Sequence, residues 1–141
     1  MLIRLRVKNY ALIADMDVSF GGGLNILTGQ TGAGKSILIG SLNLILGEKA
    51  SSEMVRSGEE EALIEASFDI VGKIPNSLSS YVCAGEPILL KRQVIRGGRS
   101  YAFINDHQVT IGKLKKVGEI LVDLLGQHHH QSLVLRCHQL R

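Results

Sequence analysis

Hydrophobic and polar residues alternate with period two at the start of the chain. Ile3, Leu5 and Val7 share one parity, and Arg4, Arg6 and Lys8 the other. Successive strand side chains point to opposite faces, so the pattern predicts a strand over 2–8 with one wet face. Residues 12–20 alternate as well, with Ala14, Met16, Val18 and Phe20 set against Asp15, Asp17 and Ser19. A basic face beside an acidic one suggests antiparallel neighbours joined by cross-strand pairs, each contributing roughly a few tenths of a kcal/mol. Gly21-Gly22-Gly23 reads as a turn, and Leu24 to Thr28 as a short buried strand. Ile37 to Leu46 is apolar nearly all round, which predicts a buried helix stopped by Gly47 at C′.

Beyond Gly47, the stretch from Glu48 to Glu61 is polar and loop-like. Strands are expected over 62–71 and 88–95, with a short helix over 77–82 between them. Gly97-Gly98 makes a turn and residues 100–105 return as a strand, so 88–105 forms a hairpin. Gln108 to Leu121 reads as an amphipathic helix, with Ile111, Leu114, Val117, Ile120 and Leu121 on one face. Residues 122–125 form a last strand running into Gly126-Gln127-His128-His129-His130-Gln131. Neither a repeat nor an internal domain boundary is visible.

Between the third strand and the first helix lies Gly29-Gln30-Thr31-Gly32-Ala33-Gly34-Lys35-Ser36, which fits G-x-x-x-x-G-K-[ST] at every fixed position. Strand, loop and helix come in the order that phosphate binding requires. Small residues let successive N–H groups curl around phosphate oxygens, and the helix N-terminus adds partial positive charge. Lys35 supplies a point charge to the phosphates and Ser36 a hydroxyl ligand for Mg2+, while Gly29, Thr31, Gly32, Ala33, Gly34 and Ile37 offer backbone contacts. These residues point to binding of a nucleoside triphosphate.

The 141 residues suffice for one domain with a core, and 45% hydrophobic with 21% charged residues suits a soluble globular protein. A net charge of +3, from 16 basic and 13 acidic residues, is too mild to argue nucleic-acid binding by itself. Cys83 and Cys137 form no CxxC pair, and a reducing, intracellular setting is the simplest reading. Arg4, Arg6 and Lys8 interrupt the apolar N-terminus, so no signal peptide is expected. The longest apolar stretch, residues 37–46, is too short for a membrane span.

Several segments together are similar to the RecN family of bacterial DNA-repair proteins, within the SMC-like branch of ABC-type ATPases. They are Asn9-Tyr10-Ala11-Leu12-Ile13, Gly23 to Thr28 leading into the loop, and Ser36-Ile37-Leu38-Ile39. Met54-Val55-Arg56-Ser57-Gly58 resembles the family's arginine-bearing segment, and Arg92 to Asn105 its hairpin. Leu121 to Leu133, with Gly126-Gln127-His128 and His130-Gln131-Ser132, resembles its glutamine-loop segment. Gln30 and His129 depart from the family, which usually carries acidic residues there, and residues 134–141 do not follow it clearly.

The resemblance implies an α/β fold: a P-loop NTPase of the ABC/SMC type, specifically the N-terminal lobe of its ATPase head with an antiparallel β portion. Residues 1–133 would be the lobe, and 134–141 the start of a coiled-coil connection or a tail. It further implies ATP and Mg2+ as cofactors, with Gln30 among the loop contacts. Gln127 would be the glutamine-loop residue that ligates Mg2+ and orients water, with Gln131 as its competitor. Arg56 would reach the γ-phosphate. The implied partners are the C-terminal lobe of the same head, a second copy across an ATP sandwich, and DNA, with no membrane and a cytoplasmic, nucleoid-associated location. The whole protein would be an ATPase in double-strand-break repair and recombination. No apolar run ending in Asp-Glu and no Ser-Gly-Gly signature occurs in this sequence. The lobe alone is therefore expected to bind nucleotide with little or no turnover.

Plainer readings stand beside these. Three adjacent histidines, His128 to His130, do not converge on one ion in a strand or a helix, so a polar turn explains them better than a metal site. Arg96, Arg99, Lys113, Lys115 and Lys116 could meet DNA phosphates, or they could form a solvated face. A small P-loop kinase would need an arginine-rich lid, and none is evident. A non-hydrolysing nucleotide-binding module is the other alternative.

Overall fold

The computed structural model describes residues 2–22, 32–70, 74, 76–83 and 85–121. Among these residues six strands, β1 (Leu2–Tyr10), β2 (Ile13–Ser19), β3 (Glu61–Phe68), β4 (Ile88–Ile95), β5 (Ser100–Ile104) and β6 (His107–Val109), form one sheet in the order β2-β1-β3-β4-β5-β6. Every neighbouring pair is antiparallel. Helix α1 (Gly32–Ile45) packs on β3 and β4, and helix α2 (Ile111–Leu121) on β5 and on α1. This is the antiparallel β portion that the sequence led us to expect. The strands expected at 24–28 and 122–125 lie outside the described residues.

The alternation in the sequence becomes the two faces of this sheet. Leu5 and Val7 from β1, Ala62, Ile64, Ala66 and Phe68 from β3, Leu90 and Val94 from β4, and Ala102 and Ile104 from β5 are buried on the helix side. The opposite face carries the charges. Arg4 bonds Asp17 through both Nε and Nη2, and Arg6 pairs with Asp15 at 3.7 Å. The ladder places Arg6 opposite Asp17 and Lys8 opposite Asp15, so both pairs run diagonally across the β1–β2 ladder. The hydrogen bond from Arg4 holds the Asp17 carboxyl below the usual carboxylate range.

Element boundaries depart from expectation where tertiary contacts decide. Strand β3 ends at Phe68, short of the expected Val71. The short helix expected at 77–82 is a single 3₁₀ turn, Asn76–Leu78, followed by turns. The helix expected from Gln108 begins three residues later. His107–Val109 instead pairs with β5 across a two-residue turn at Asn105-Asp106, and Asn105 takes φ +52°. Asn105 also accepts from Leu89 N–H at 2.9 Å and donates to the Tyr81 carbonyl at 2.6 Å, which secures the 76–83 segment to the sheet. Thr110 then caps α2, its hydroxyl oxygen accepting from Lys113 N–H at 3.1 Å.

Helix α1 also corrects the expectation of full burial. Leu38, Ser41, Leu42, Leu44 and Ile45 are buried, but Ile39 is 45% exposed. The helix rests on one face of a single sheet, and that contact covers only one side of it. Its C-terminus is a Schellman turn: Glu48 N–H donates to the Asn43 carbonyl and Gly47 N–H to Leu44, both at 3.1 Å, with Gly47 at φ +92°. A Cβ at Gly47 would stand 2.9 Å from Lys115 Cα, and one at Gly118 would stand 2.8 Å from Leu46 Cδ2. The two glycines therefore let α2 lie directly against the end of α1.

Two outcomes test this packing. Gly47→Ala combines left-handed strain with a backbone clash and should cost about 2 kcal/mol or more, whereas Gly58→Ala, also at positive φ but facing open space, should cost about 1 kcal/mol. Chemical denaturation of both variants measures the difference. Because Asp17 has a lower pKa folded than unfolded, its pairing stabilises the protein above the ordinary carboxylate pKa of about 4, and this contribution is lost as pH falls through the depressed value. Asp17→Asn should remove that part of the acid dependence in a pH series of melting curves.

Candidate functional site

Helix α1 begins inside the glycine-rich loop. Gly32, Ala33 and Gly34 form its first turn, followed by Lys35 and Ser36, both exposed, and half-buried Ile37. No acidic residue lies in that first turn. The partial positive charge of the helix N-terminus is thus not neutralised from within the helix, and Lys35 adds to it. Gly29, Gln30 and Thr31, expected to complete the cradle, lie outside the described residues, as do Gln127, Gln131 and His128 to His130.

A second feature flanks the helix. Tyr10, at the end of β1, is buried, and a Cβ at Gly40 of α1 would stand 2.8 Å from its hydroxyl oxygen. Glycine at that position lets β1 and α1 approach closely, and burial pushes the Tyr10 phenol up. On either side of Tyr10, Asn9 near the end of β1 and Ala11 in the β1–β2 turn take φ +54° and +51°, a conformation that side-chain-bearing residues keep only when neighbours enforce it. Here they do. Ala11 N–H donates to the Met54 carbonyl and Arg56 N–H to Asn9, both at 2.8 Å, and Tyr10 bridges Val55.

Arg56, the expected phosphate contact, belongs to this corner. Its Nη1 donates to the Leu12 carbonyl at 2.6 Å. Arg96, one of the candidate DNA contacts, is likewise engaged within the protein: Nε donates to the Glu59 carbonyl at 2.7 Å and Nη2 to the Arg56 carbonyl at 2.9 Å. Ala11, Leu12, Ser52, Glu53, Val55, Ser57 and Arg96 line a shallow cleft of about 450 Å³ over the corner, with Leu12 79% exposed at its rim. Among the other basic candidates, Lys113 lies 5.8 Å from the centre of the Tyr81 ring, while Arg99, Lys115 and Lys116 are exposed. Among the described residues no cluster of His, Cys, Asp or Glu could hold a metal ion, and no helix is long and apolar enough to cross a membrane.

One residue of the region has no assigned role in the sequence reading. Arg92 occupies the inward parity of β4 among Ile88, Leu90 and Val94, and it is buried against the C-terminal end of α1. Its signal in the sequence was a basic residue standing at an apolar position of an alternating strand.

A sheet of this topology, carrying on one face a helix that opens with a glycine-rich phosphate motif, has the fold of an SMC head domain. The family described as AAA domain matches residues 4–140, and the chain belongs to it. The chain is 43% identical over 138 residues to the DNA repair protein RecN of Halalkalibacterium halodurans, a match covering 95% of this chain and 24% of that protein. RecN of Bacillus subtilis is 40% identical over 141 residues, with coverage of 95% and 24%. The chain therefore spans about a quarter of the length of the curated relatives it matches. Two solved structures share the fold. The SMC head domain from Thermotoga maritima superposes with a TM-score of 0.65 at 21% identity, covering 82% of this chain and 41% of that one. A chain solved in work on ATP-driven dimerization and DNA stimulated activation of SMC ATPases gives 0.69 at 15% identity, covering 94% and 90%.

Removing the Arg96 side chain tests the rigidity of the corner. Arg96→Ala frees two exposed carbonyls to water, so it should cost no more than about 1 kcal/mol of global stability while hydrogen exchange at the Arg56 and Glu59 amides quickens. Exchange mass spectrometry reads both.

Proposed function

We propose that this chain is the nucleotide-binding lobe of an SMC-like ATPase acting in DNA double-strand-break repair and recombination. The observation that carries the reading is the start of α1, where Gly32-Ala33-Gly34-Lys35-Ser36 opens a helix with no acid in its first turn and with Lys35 and Ser36 exposed, on a lobe of SMC-head fold. The similarity to DNA repair proteins named RecN supports the biological setting.

In this reading the α1 amides and Lys35 bind the β- and γ-phosphates of ATP and neutralise the charge that grows during transfer. The Ser36 hydroxyl and the Gln127 carboxamide are hard oxygen donors of the kind Mg2+ takes, and Mg2+ when bound would neutralise phosphate charge. Gln127 orients the attacking water, and Gly29, Gln30 and Thr31 complete the loop around the phosphates. To reach a γ-phosphate, Arg56 exchanges its Leu12 carbonyl for phosphate oxygens, which its planar fork suits. The C-terminal lobe of the same head supplies the carboxylate that polarises water. A second copy closes over the nucleotide, and DNA is held by the whole assembly in the cytoplasm. By itself the lobe binds nucleotide without appreciable turnover.

The test is ATP binding and hydrolysis by the full-length protein and its Lys35→Ala variant. Loss of one preorganised cation at the phosphates should weaken ATP binding or turnover by roughly 100-fold or more. A wild-type protein that binds no ATP, or a variant that matches the wild type, overturns the reading.

A further inference from the structure

Arg92 is 1% exposed. An unpaired guanidinium in such a place is costly, because its charge leaves water without a counter-charge. Among the described residues no carboxylate comes within ion-pair distance of it. Its partners are backbone and hydroxyl oxygens: Nη1 donates to the carbonyls of Leu44 and Glu48, both at 2.8 Å, and Nη2 to Ser100 Oγ at 3.1 Å. Nε has no hydrogen-bond partner among the described residues. Burial lowers the pKa of the group, in keeping with the absence of an ion pair.

The two carbonyls explain how the charge is tolerated. Leu44 and Glu48 bracket the Schellman turn at the end of α1, where the helix presents orphan carbonyls and partial negative charge. Helix α1 has no basic residue of its own in its last turn. The sheet supplies the missing cation from below. Across the ladder, Arg92 faces Ile64 on one side and Ala102 on the other, and the small Ala102 leaves room for the guanidinium to turn toward the helix. A leucine would satisfy the apolar parity of β4 at no cost in buried charge, so the arginine is not explained by packing.

The opposite end of the same helix is the phosphate-binding end. Fourteen residues of α-helix form a rod of about 21 Å, and fixing one end fixes the other. We propose that Arg92 is a positioning residue for the nucleotide site: by clamping the C-terminal carbonyls of α1 to β4 and Ser100, it sets the position from which the α1 N-terminal amides and Lys35 meet the phosphates. This inference rests on the nucleotide-binding reading above. It adds that affinity for nucleotide depends on a buried charge at the far end of the helix from the phosphates.

The experiment compares wild type, Arg92→Met, Arg92→Lys and Ser100→Ala in the full-length protein. ATP affinity is measured by calorimetry, KM and kcat by phosphate release, and folding by melting curves. Arg92→Met keeps length and apolar bulk but loses the charge-assisted bonds. It should weaken ATP binding about tenfold or more and raise KM in parallel, with kcat changed less than about twofold. Arg92→Lys, able to donate to both carbonyls, should recover most of the affinity. A structural role alone would lower the melting temperature and leave the affinity of the folded protein unchanged. Arg92→Met binding ATP within about twofold of wild type overturns the inference, whatever its melting temperature. Should Arg92→Met not fold, Ser100→Ala decides. Loss of its single bond should weaken ATP binding about threefold, and unchanged affinity overturns the inference. A wild-type protein that binds no ATP overturns the functional reading itself, and this inference with it.

Discussion

Helix α1 meets opposite demands at its two ends, and the rest of the lobe is arranged around that constraint. In the proposed reading the N-terminal end presents its amides and Lys35 to the phosphates of a nucleotide. The C-terminal end is buried, and every carbonyl there needs a partner. The chain answers the second demand with a Schellman turn at Gly47 and a guanidinium from β4, and α2 covers the helix end through its close approach at Gly47 and Gly118. Lys35 and Ser36 near the other end can stay exposed because the buried end holds the helix in place.

The sheet under α1 serves this anchoring. Its inward face is assembled from strands of matched parity, with small residues such as Ala62, Ala66 and Ala102 among larger ones. That mixture lets the face interdigitate with a helix and accept one arginine without losing close packing. The outward face works differently. Its charges lie in solvent and stabilise weakly, so they specify which strand pairs with which and in what register. Burial supplies the stability, and surface charge helps to set the alignment.

The corner between β1 and β2 is rigid for a reason separate from the core. Two residues with side chains, Asn9 and Ala11, sit at positive φ; Ala11 N–H donates to the Met54 carbonyl and Arg56 N–H to the Asn9 carbonyl, while the guanidinium of Arg56 bonds Leu12 and that of Arg96 braces the facing 56–59 segment. Arginines that looked in the sequence like candidates for phosphate or DNA are, in this conformation, braces. Their fork of donors suits carbonyl oxygens as it does phosphate oxygens, which is why residue type alone left their role open.

Much was legible in the residues themselves. The period-two runs identified β1, β2 and the β4–β5 hairpin, because alternation reports directly on a sheet with one wet face. The apolar run after the glycine-rich motif identified the body of α1, but the helix begins at Gly32 inside the motif, five residues before the expected start at Ile37. Gly47 marked the helix end, because left-handed φ selects glycine. Boundaries set by long-range contacts were not legible. Strand β6 reads as the beginning of a helix until β5 pairs with it, since three residues carry too little pattern to outweigh the amphipathic run beside them. The exposed side of α1 and the task of Arg92 were hidden for a related reason. A local sequence states which face of an element is apolar, but which atoms meet that face depends on residues 44 to 48 positions away in the chain, brought together only by the fold.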